Sequence, residues 1–288
     1  MTIWNLGSIN ADLFYDLPRL PRPGETIACD RLTKGLGGKG ANMSVAAARA
    51  GARVCHIGAV GPDGAWAMER LLEYGVDTRH IARVGAATGH ALILLDADGE
   101  NSIVIFAGAN RALSDEMIGA PLSEADAGDL LVMQNETSHQ AYAAELGSKL
   151  GLRVAYAAAP FDAAAVTQLL PFVDLLFMNE VEAAQLKEAT GKWPEELGVA
   201  DVIVTLGARG CRWYGPEGVE EFGAPKVTAV DTTGAGDTFT GYVLAGLDRG
   251  MEMADAIGQA TRAAALMVTR HGTADVIPDL KEVRAFRA

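Results

Sequence analysis

Cysteine is scarce in this chain: Cys29, Cys55 and Cys211 are the only three in 288 residues, far apart and without the paired spacing of a zinc site or a disulfide scaffold. A disulfide-built fold is excluded, and a reducing compartment is expected. Also missing is any apolar run long enough to cross a bilayer. The start, Met1-Thr2-Ile3-Trp4-Asn5-Leu6-Gly7, has no basic segment leading into an apolar one, so the expected location is the cytoplasm. Nor is there an excess of positive charge. The 24 Lys and Arg against 37 Asp and Glu give a net charge of −13, which repels phosphate backbones and anionic lipid. No local basic patch offsets it. Nucleic acid and membrane surfaces therefore drop out as expected partners, and a small molecule takes their place.

What is present is ordinary globular composition, 49% apolar and 21% charged. Short, nearly continuous apolar runs at Val54–Val60, Leu130–Gln134, Arg153–Ala157, Leu175–Met178 and Val202–Leu206 predict strands covered on both faces. Between them, helical periodicity predicts helices at Ala41–Ala50, Gly64–Tyr74, His139–Leu150, Val181–Thr190, Thr238–Leu247 and Met253–Val268. This alternation predicts βαβ units and a mainly parallel central sheet between helical layers, an α/β fold. Two segments break the pattern. Gly89–Ala107 predicts an antiparallel hairpin turning at Asp98-Gly99, and Asp12–Leu36 is cut into short strand-like pieces by Pro18, Pro21, Pro23 and Gly24. Together they predict a small β lid, about 10–36 and 88–108, over the edge of the main sheet. With no internal repeat, low-complexity tract or linker, the expectation is one domain over 1–288 carrying that lid.

The strongest local signal is Val230-Asp231-Thr232-Thr233-Gly234-Ala235-Gly236-Asp237-Thr238-Phe239, between a strand-like stretch and a helix. Glycines bracketing an alanine let successive backbone N–H groups converge, and the helix dipole adds partial positive charge there, so Gly234, Ala235 and Gly236 predict an anion hole. Asp237 beside it suits a base that takes the proton of a hydroxyl attacking phosphorus. The plainer alternative is a tight turn with Asp237 as a helix N-cap. A second signal, Leu36-Gly37-Gly38-Lys39-Gly40-Ala41-Asn42, opens a helix with exposed backbone and with polar side chains that suit a polyhydroxyl ligand. It lacks the spacing of a P-loop, and alone it would pass for structure.

Taken in this order, the two loops resemble those of the PfkB carbohydrate kinases, ribokinase-like members above all. Gly7-Ser8-Ile9-Asn10-Ala11-Asp12, Pro23-Gly24-Glu25-Thr26, Gly108-Ala109-Asn110 and Thr205-Leu206-Gly207 extend the likeness over nearly the whole chain. The resemblance implies an α/β/α fold with a β-sheet lid and ATP-dependent phosphorylation of a primary sugar hydroxyl, most naturally D-ribose to ribose 5-phosphate. It implies sugar contacts from Asn10, Asp12, Gly38, Lys39, Asn42 and Glu136, with Asp237 as base. Asp12 and Glu136 would otherwise pass for solvated loop carboxylates. For the nucleotide it implies Asn179, Glu182, Thr205, Gly207 and Gly210. Glu182 would serve Mg²⁺ through water, while Asp231 and the Thr233 carbonyl, with the loop 270–275, would hold a monovalent cation such as K⁺. A homodimer through the lid is a further expectation.

Two departures accompany the likeness. Gly191–Gly198 is too short for the helix usual before the next strand, and Ala157-Ala158-Ala159-Pro160 stands where an Asn-Pro-Ala-Pro string is common, so different phosphate contacts are expected. The rivals are a related kinase for a nucleoside, fructose or a sugar acid, with Phe14 or Phe106 as base clamp, and a catalytically silent sensor on the same fold.

Overall fold

The computed structural model describes residues 1–96 and 100–287. Among them the strands are β1 (Ile3–Leu6), β2 (Asn10–Asp16), β3 (Arg31–Gly37), β4 (Val54–Val60), β5 (Ile81–Arg83), β6 (Gly89–Leu95), β7 (Asn101–Phe106), β8 (Leu130–Gln134), β9 (Arg153–Ala157), β10 (Leu175–Asn179), β11 (Asp201–Thr205), β12 (Cys211–Gly215) and β13 (Gly218–Phe222). The α-helices are α1 (Lys39–Arg49), α2 (Ala65–Glu73), α3 (Asp115–Leu122), α4 (Gln140–Lys149), α5 (Ala163–Leu169), α6 (Glu180–Thr190), α7 (Ala235–Asp248), α8 (Met253–Met267) and α9 (Leu280–Ala285).

The large sheet runs β13-β12-β11-β10-β9-β8-β1-β4-β5. From β11 to β5 every pairing is parallel, and β12 and β13 append an antiparallel edge. Alternate residues of each parallel strand face opposite layers. Ile3, Val54, Leu130, Ala155, Leu175 and Ile203 join the core beneath α1, α2, α7 and α8. Leu6, Ile57, Leu131, Val154, Leu176 and Val202 join the core beneath α3 to α6. Both faces are covered, which is why these strands read as continuous apolar runs.

The second sheet has the order β3-β2-β6-β7. Each outer pair is an antiparallel hairpin, but β2 and β6 pair in parallel, from Asn10↔Gly89 to Asp16↔Leu95. The expected Asp98-Gly99 turn lies outside the described residues; the Asp96 amide donates to the Glu100 carbonyl at 3.0 Å at its base. As expected of 191–198, the helix there is reduced to a single 3₁₀ turn, Pro194–Glu196. α7 begins at Ala235, one turn before the predicted Thr238. Its true N-cap, Gly234, has no side chain to advertise the start.

Candidate active site

The parallel strands end toward one rim, where a sheet of this kind presents loops to a ligand. β1 runs into Gly7-Ser8, β8 into Asn135-Glu136, and β10 and β11 end at Asn179 and Thr205. β2, entering the lid, carries Asn10 and Asp12.

Asp237 occupies the third position of α7 and is 7% exposed. It caps nothing. The N-cap is Gly234, at φ 75°, where a Cβ would come within 2.9 Å of Met267 Cε. One carboxylate oxygen of Asp237 accepts a hydrogen bond from Asn42 Nδ2 at 2.8 Å, across 195 residues of sequence. That bond joins the two Gly-rich loops. The Asn42 Oδ1 atom is buried without a partner among the described residues, the state of an acceptor that a ligand hydroxyl can satisfy.

The first-turn amides divide. Ala235 N–H reaches Thr232 O at 3.3 Å and Thr238 N–H reaches Gly234 O at 2.8 Å, while the N–H groups of Gly234, Gly236 and Asp237 have no hydrogen-bond acceptor among the described residues. The anion-binding donors are therefore centred on Gly236 rather than spread evenly over 234–236, with the Ala235 amide already engaged. Gly236 and Ala235 line a cavity of about 450 Å³ together with Asn179, Thr205, Gly207 and Gly210. Val227, Phe239, Ala264 and Val268 add apolar lining. Glu182 does not line this cavity. It forms a capping box with Asn179, the Asn179 amide donating to Glu182 Oε2 at 2.7 Å and the Glu182 amide to Asn179 Oδ1 at 2.8 Å.

On the other side of Asp237 the residues are buried and acidic. Lys39 N–H donates to Glu136 Oε2 at 3.1 Å, and Ser8 Oγ bonds the same oxygen. The charges of Asp237, then Glu136 and Glu182, hold the Lys39 ammonium above its ordinary range despite burial. Asp12 is 6% exposed. Burial pushes its carboxyl up to about 7; the Glu136, Asp237 and Asp275 carboxylates add to the shift, and a hydrogen bond from Thr273 opposes it. Thr273 Oγ1 lies 3.2 Å from Asp12 Oδ2 and 2.7 Å from the Leu36 carbonyl. Asn10 is held through Oδ1, which accepts from Asn110 Nδ2 at 2.8 Å. Asp231 stands apart, with one oxygen accepting from Thr233 N–H at 2.9 Å and the other from Gly272 N–H at 3.2 Å.

Ser8, Asn110 and Thr273 were not singled out as site residues. Ser8 and Asn110 sit inside strings that drew notice for their glycines. Thr273 drew notice only with the loop 270–275, and nothing local to it announces a contact with Asp12. Near the expected loss at Ala157–Pro160 an amide side chain is present after all: Asn135 Nδ2 donates to the Pro160 carbonyl at 2.9 Å.

A three-layer α/β/α core, a small sheet over its rim, and a buried carboxylate, Asp237, whose helix opens on a cavity near a cluster of buried polar side chains define a phosphotransferase of the sugar-kinase kind. The pfkB family carbohydrate kinase model matches residues 3–280, and the chain belongs to that family. A ribokinase from Haemophilus influenzae is 35% identical over 307 aligned positions, which cover 99% of this chain and 98% of the relative. A ribokinase from Cryptococcus neoformans in complex with ADP superposes with a TM-score of 0.84 at 35% identity, covering 99% and 98% of the two chains. The Arabidopsis thaliana ribokinase complexed with ribose and ATP gives a TM-score of 0.88 at 30% identity, covering 99% and 97%.

Proposed function

We propose that this protein transfers the terminal phosphoryl group of ATP to the primary hydroxyl of D-ribose, giving ribose 5-phosphate. The observation that carries the reading is the position of Asp237. Its carboxylate is buried and held on one oxygen by Asn42, and its helix opens with unbonded amides at the end of a nucleotide-sized cavity. Ribose lies among Asn10, Asp12, Gly38, Lys39, Asn42 and Glu136, with its hydroxyls donating to the carboxylates and to the orphan Asn42 Oδ1. Asp237 accepts the proton of the attacking hydroxyl, and the Gly234 and Gly236 amides hold the migrating group. Lys39 keeps its charge for the same task, since the surrounding acids favour the ammonium. The lid sheet excludes water from the transfer.

The oxygen donors fit hard cations. Glu182 offers a half-buried carboxylate beside Asn179 for the water shell of Mg²⁺, which when bound offsets charge on the phosphates. Asp231 and the Thr233 carbonyl offer oxygen ligands for K⁺ next to the amide donors. The lid also supplies a dimer surface: on edge strand β7, Ile103, Val104, Ile105 and Phe106 are 50%, 59%, 59% and 49% exposed, an apolar row that a second copy's lid would cover. Light scattering at a mass of about 60 kDa, twice the 30.2 kDa chain, is the expected result, and a monomer at micromolar concentration rejects this surface. Phe106 also packs against His90 of the neighbouring strand, with ring centroids 5.0 Å apart.

The deciding assay couples ATP consumption to a panel of pentoses, hexoses and nucleosides, with and without K⁺. Ribose is expected to give the highest kcat/KM, and Asp237→Asn is expected to lower kcat by roughly 10²–10⁴-fold with ATP binding retained. Near-normal turnover in that variant removes the base assignment. Absence of turnover on every substrate converts the protein into a sensor.

A further inference from the structure

Beneath the sugar pocket lies a chain of polar side chains that the chemistry above does not use. His56, Asn5 and Gln134 are each 0% exposed and Ser44 is 1% exposed, set among the apolar residues of β1, β4, β8 and α1. His56 Nε2 is 3.0 Å from the Gly7 carbonyl, and His56 Nδ1 is 2.8 Å from Ser44 Oγ. Asn5 Nδ2 donates to Ser44 Oγ and to the Gly40 carbonyl, each at 2.8 Å, and Asn5 Oδ1 accepts from Gln134 Nε2 at 3.0 Å.

The direction of every bond follows from proton counting. A carbonyl only accepts, so His56 Nε2 carries hydrogen. The imidazole is neutral, because complete burial brings its pKa down to about 4, and Nδ1 is therefore a bare acceptor. The Ser44 hydroxyl must donate to Nδ1, which leaves Ser44 Oγ to accept from Asn5. One arrangement satisfies the side-chain atoms of His56, Ser44 and Asn5, leaving Gln134 Oε1 without a partner among the described residues, and it ends in two backbone carbonyls, those of Gly7 and Gly40.

Those two glycines are where β1 and α1 touch. A Cβ on Gly40 would lie 2.3 Å from Gly7 Cα and 2.4 Å from Ser8 N, so the two backbones are in direct contact and neither shifts without the other. Ser8 and Lys39, their sequence neighbours, both bond Glu136, and Ser8 Oγ also accepts from Gly40 N–H at 3.2 Å. Four buried polar groups are costly to desolvate compared with apolar packing, and a core gains nothing from them unless they fix an arrangement.

We propose that His56, Ser44 and Asn5 are positioning residues for the sugar site, a neutral hydrogen-bond relay that clamps the Gly7 and Gly40 carbonyls and thereby sets the Ser8 and Lys39–Asn42 segments against the substrate. The proposal rests on the kinase reading for its substrate and on the geometry alone for its mechanical part. Two variants test it: Ser44→Ala, which deletes one hydroxyl, and His56→Phe, which fills a similar volume without hydrogen bonds. Each is expected to raise the KM for ribose about tenfold and to leave the KM for ATP within about twofold, because the nucleotide cavity lies beyond Asp237. His56→Gln, which keeps one donor and one acceptor, is expected to recover at least half of that loss. Amide hydrogen exchange of residues 38–42 in the ligand-free protein is expected to quicken about tenfold in Ser44→Ala, a readout that needs neither sugar nor turnover. Unchanged ribose KM and unchanged exchange in Ser44→Ala overturn the proposal, even if the melting temperature falls. Faster exchange in a protein whose wild type phosphorylates no sugar instead overturns the kinase reading and leaves the relay standing.

Discussion

The two sides of Asp237 are built on opposite principles. The proposed nucleotide side is an open cavity of about 450 Å³ lined in part by small and apolar residues, Ala264, Val268 and Val227. The proposed sugar side is close-packed, with Asp12, Asn10 and Asn42 nearly without solvent contact and one side-chain polar atom of each engaged by another buried group. A common cosubstrate needs area and an anion hole, which apolar walls and free amides supply. A polyol must be told apart from water and from its epimers, which takes several fixed charges and acceptors at once. Discrimination therefore belongs to the acidic, buried side, and adaptability to the other.

Several measurements sharpen or break that contrast. The largest expected effect after loss of the proposed Asp237 base is acid sensitivity of the buried polar network beneath the proposed sugar side. His56 has a pKa in the folded chain, about 4, below that of an unfolded histidine. Its contribution to stability is fully present above about pH 6.5 and is lost as pH falls toward 4, by roughly 3 kcal/mol in all. Denaturant melts between pH 7 and 4.5 are expected to show this loss in the wild type and not in His56→Phe; equal losses in both break the assignment.

Asp12→Asn comes next. Removing one charged acceptor is expected to raise the KM for ribose by about 10- to 100-fold, a cost of roughly 1.5–3 kcal/mol. The stability sign runs the other way. The folded carboxyl is raised to about 7, so its stabilising share is complete below the unfolded value and disappears as pH rises through 7. The variant is therefore expected to melt several degrees higher than the wild type at pH 8, an exchange of stability for function. A lower melting temperature there contradicts the burial argument. Smallest is Ala264→Leu on the nucleotide side, where added bulk in an open cavity is expected to weaken ATP by on the order of 1 kcal/mol, about fivefold, with ribose KM unchanged. An effect on ribose of the same size would erase the distinction between the two sides.

How much of this was legible in the sequence depends on the range of the interaction. The parallel strands were visible because burial on both faces leaves unbroken apolar runs, and β4, β8 and β9 fall where those runs predict them. The antiparallel edge β12–β13 was not predicted: β12 is mostly half-buried, β13 is mostly exposed, and Arg212, Glu220 and Glu221 interrupt any apolar run. The glycine strings exposed both loops, yet the Asn42–Asp237 bond that joins them is written nowhere in either one. Thr273 meets Asp12 across 261 positions, and no local periodicity encodes that. His56 lies in an apolar strand and passes for core, and only the atoms around it give it a direction. The parallel pairing of β2 with β6 escaped notice for the same reason, since each hairpin is complete by itself.

That parallel pairing has a mechanical outcome. β2 leaves the core three residues after β1 ends and carries Asp12 outward with it, whereas Asp237 rides on a helix anchored in the opposite layer. The two acids therefore stand on separate scaffolds, one on the small sheet and one on the core, and the proposed acceptor site exists only where those two scaffolds meet.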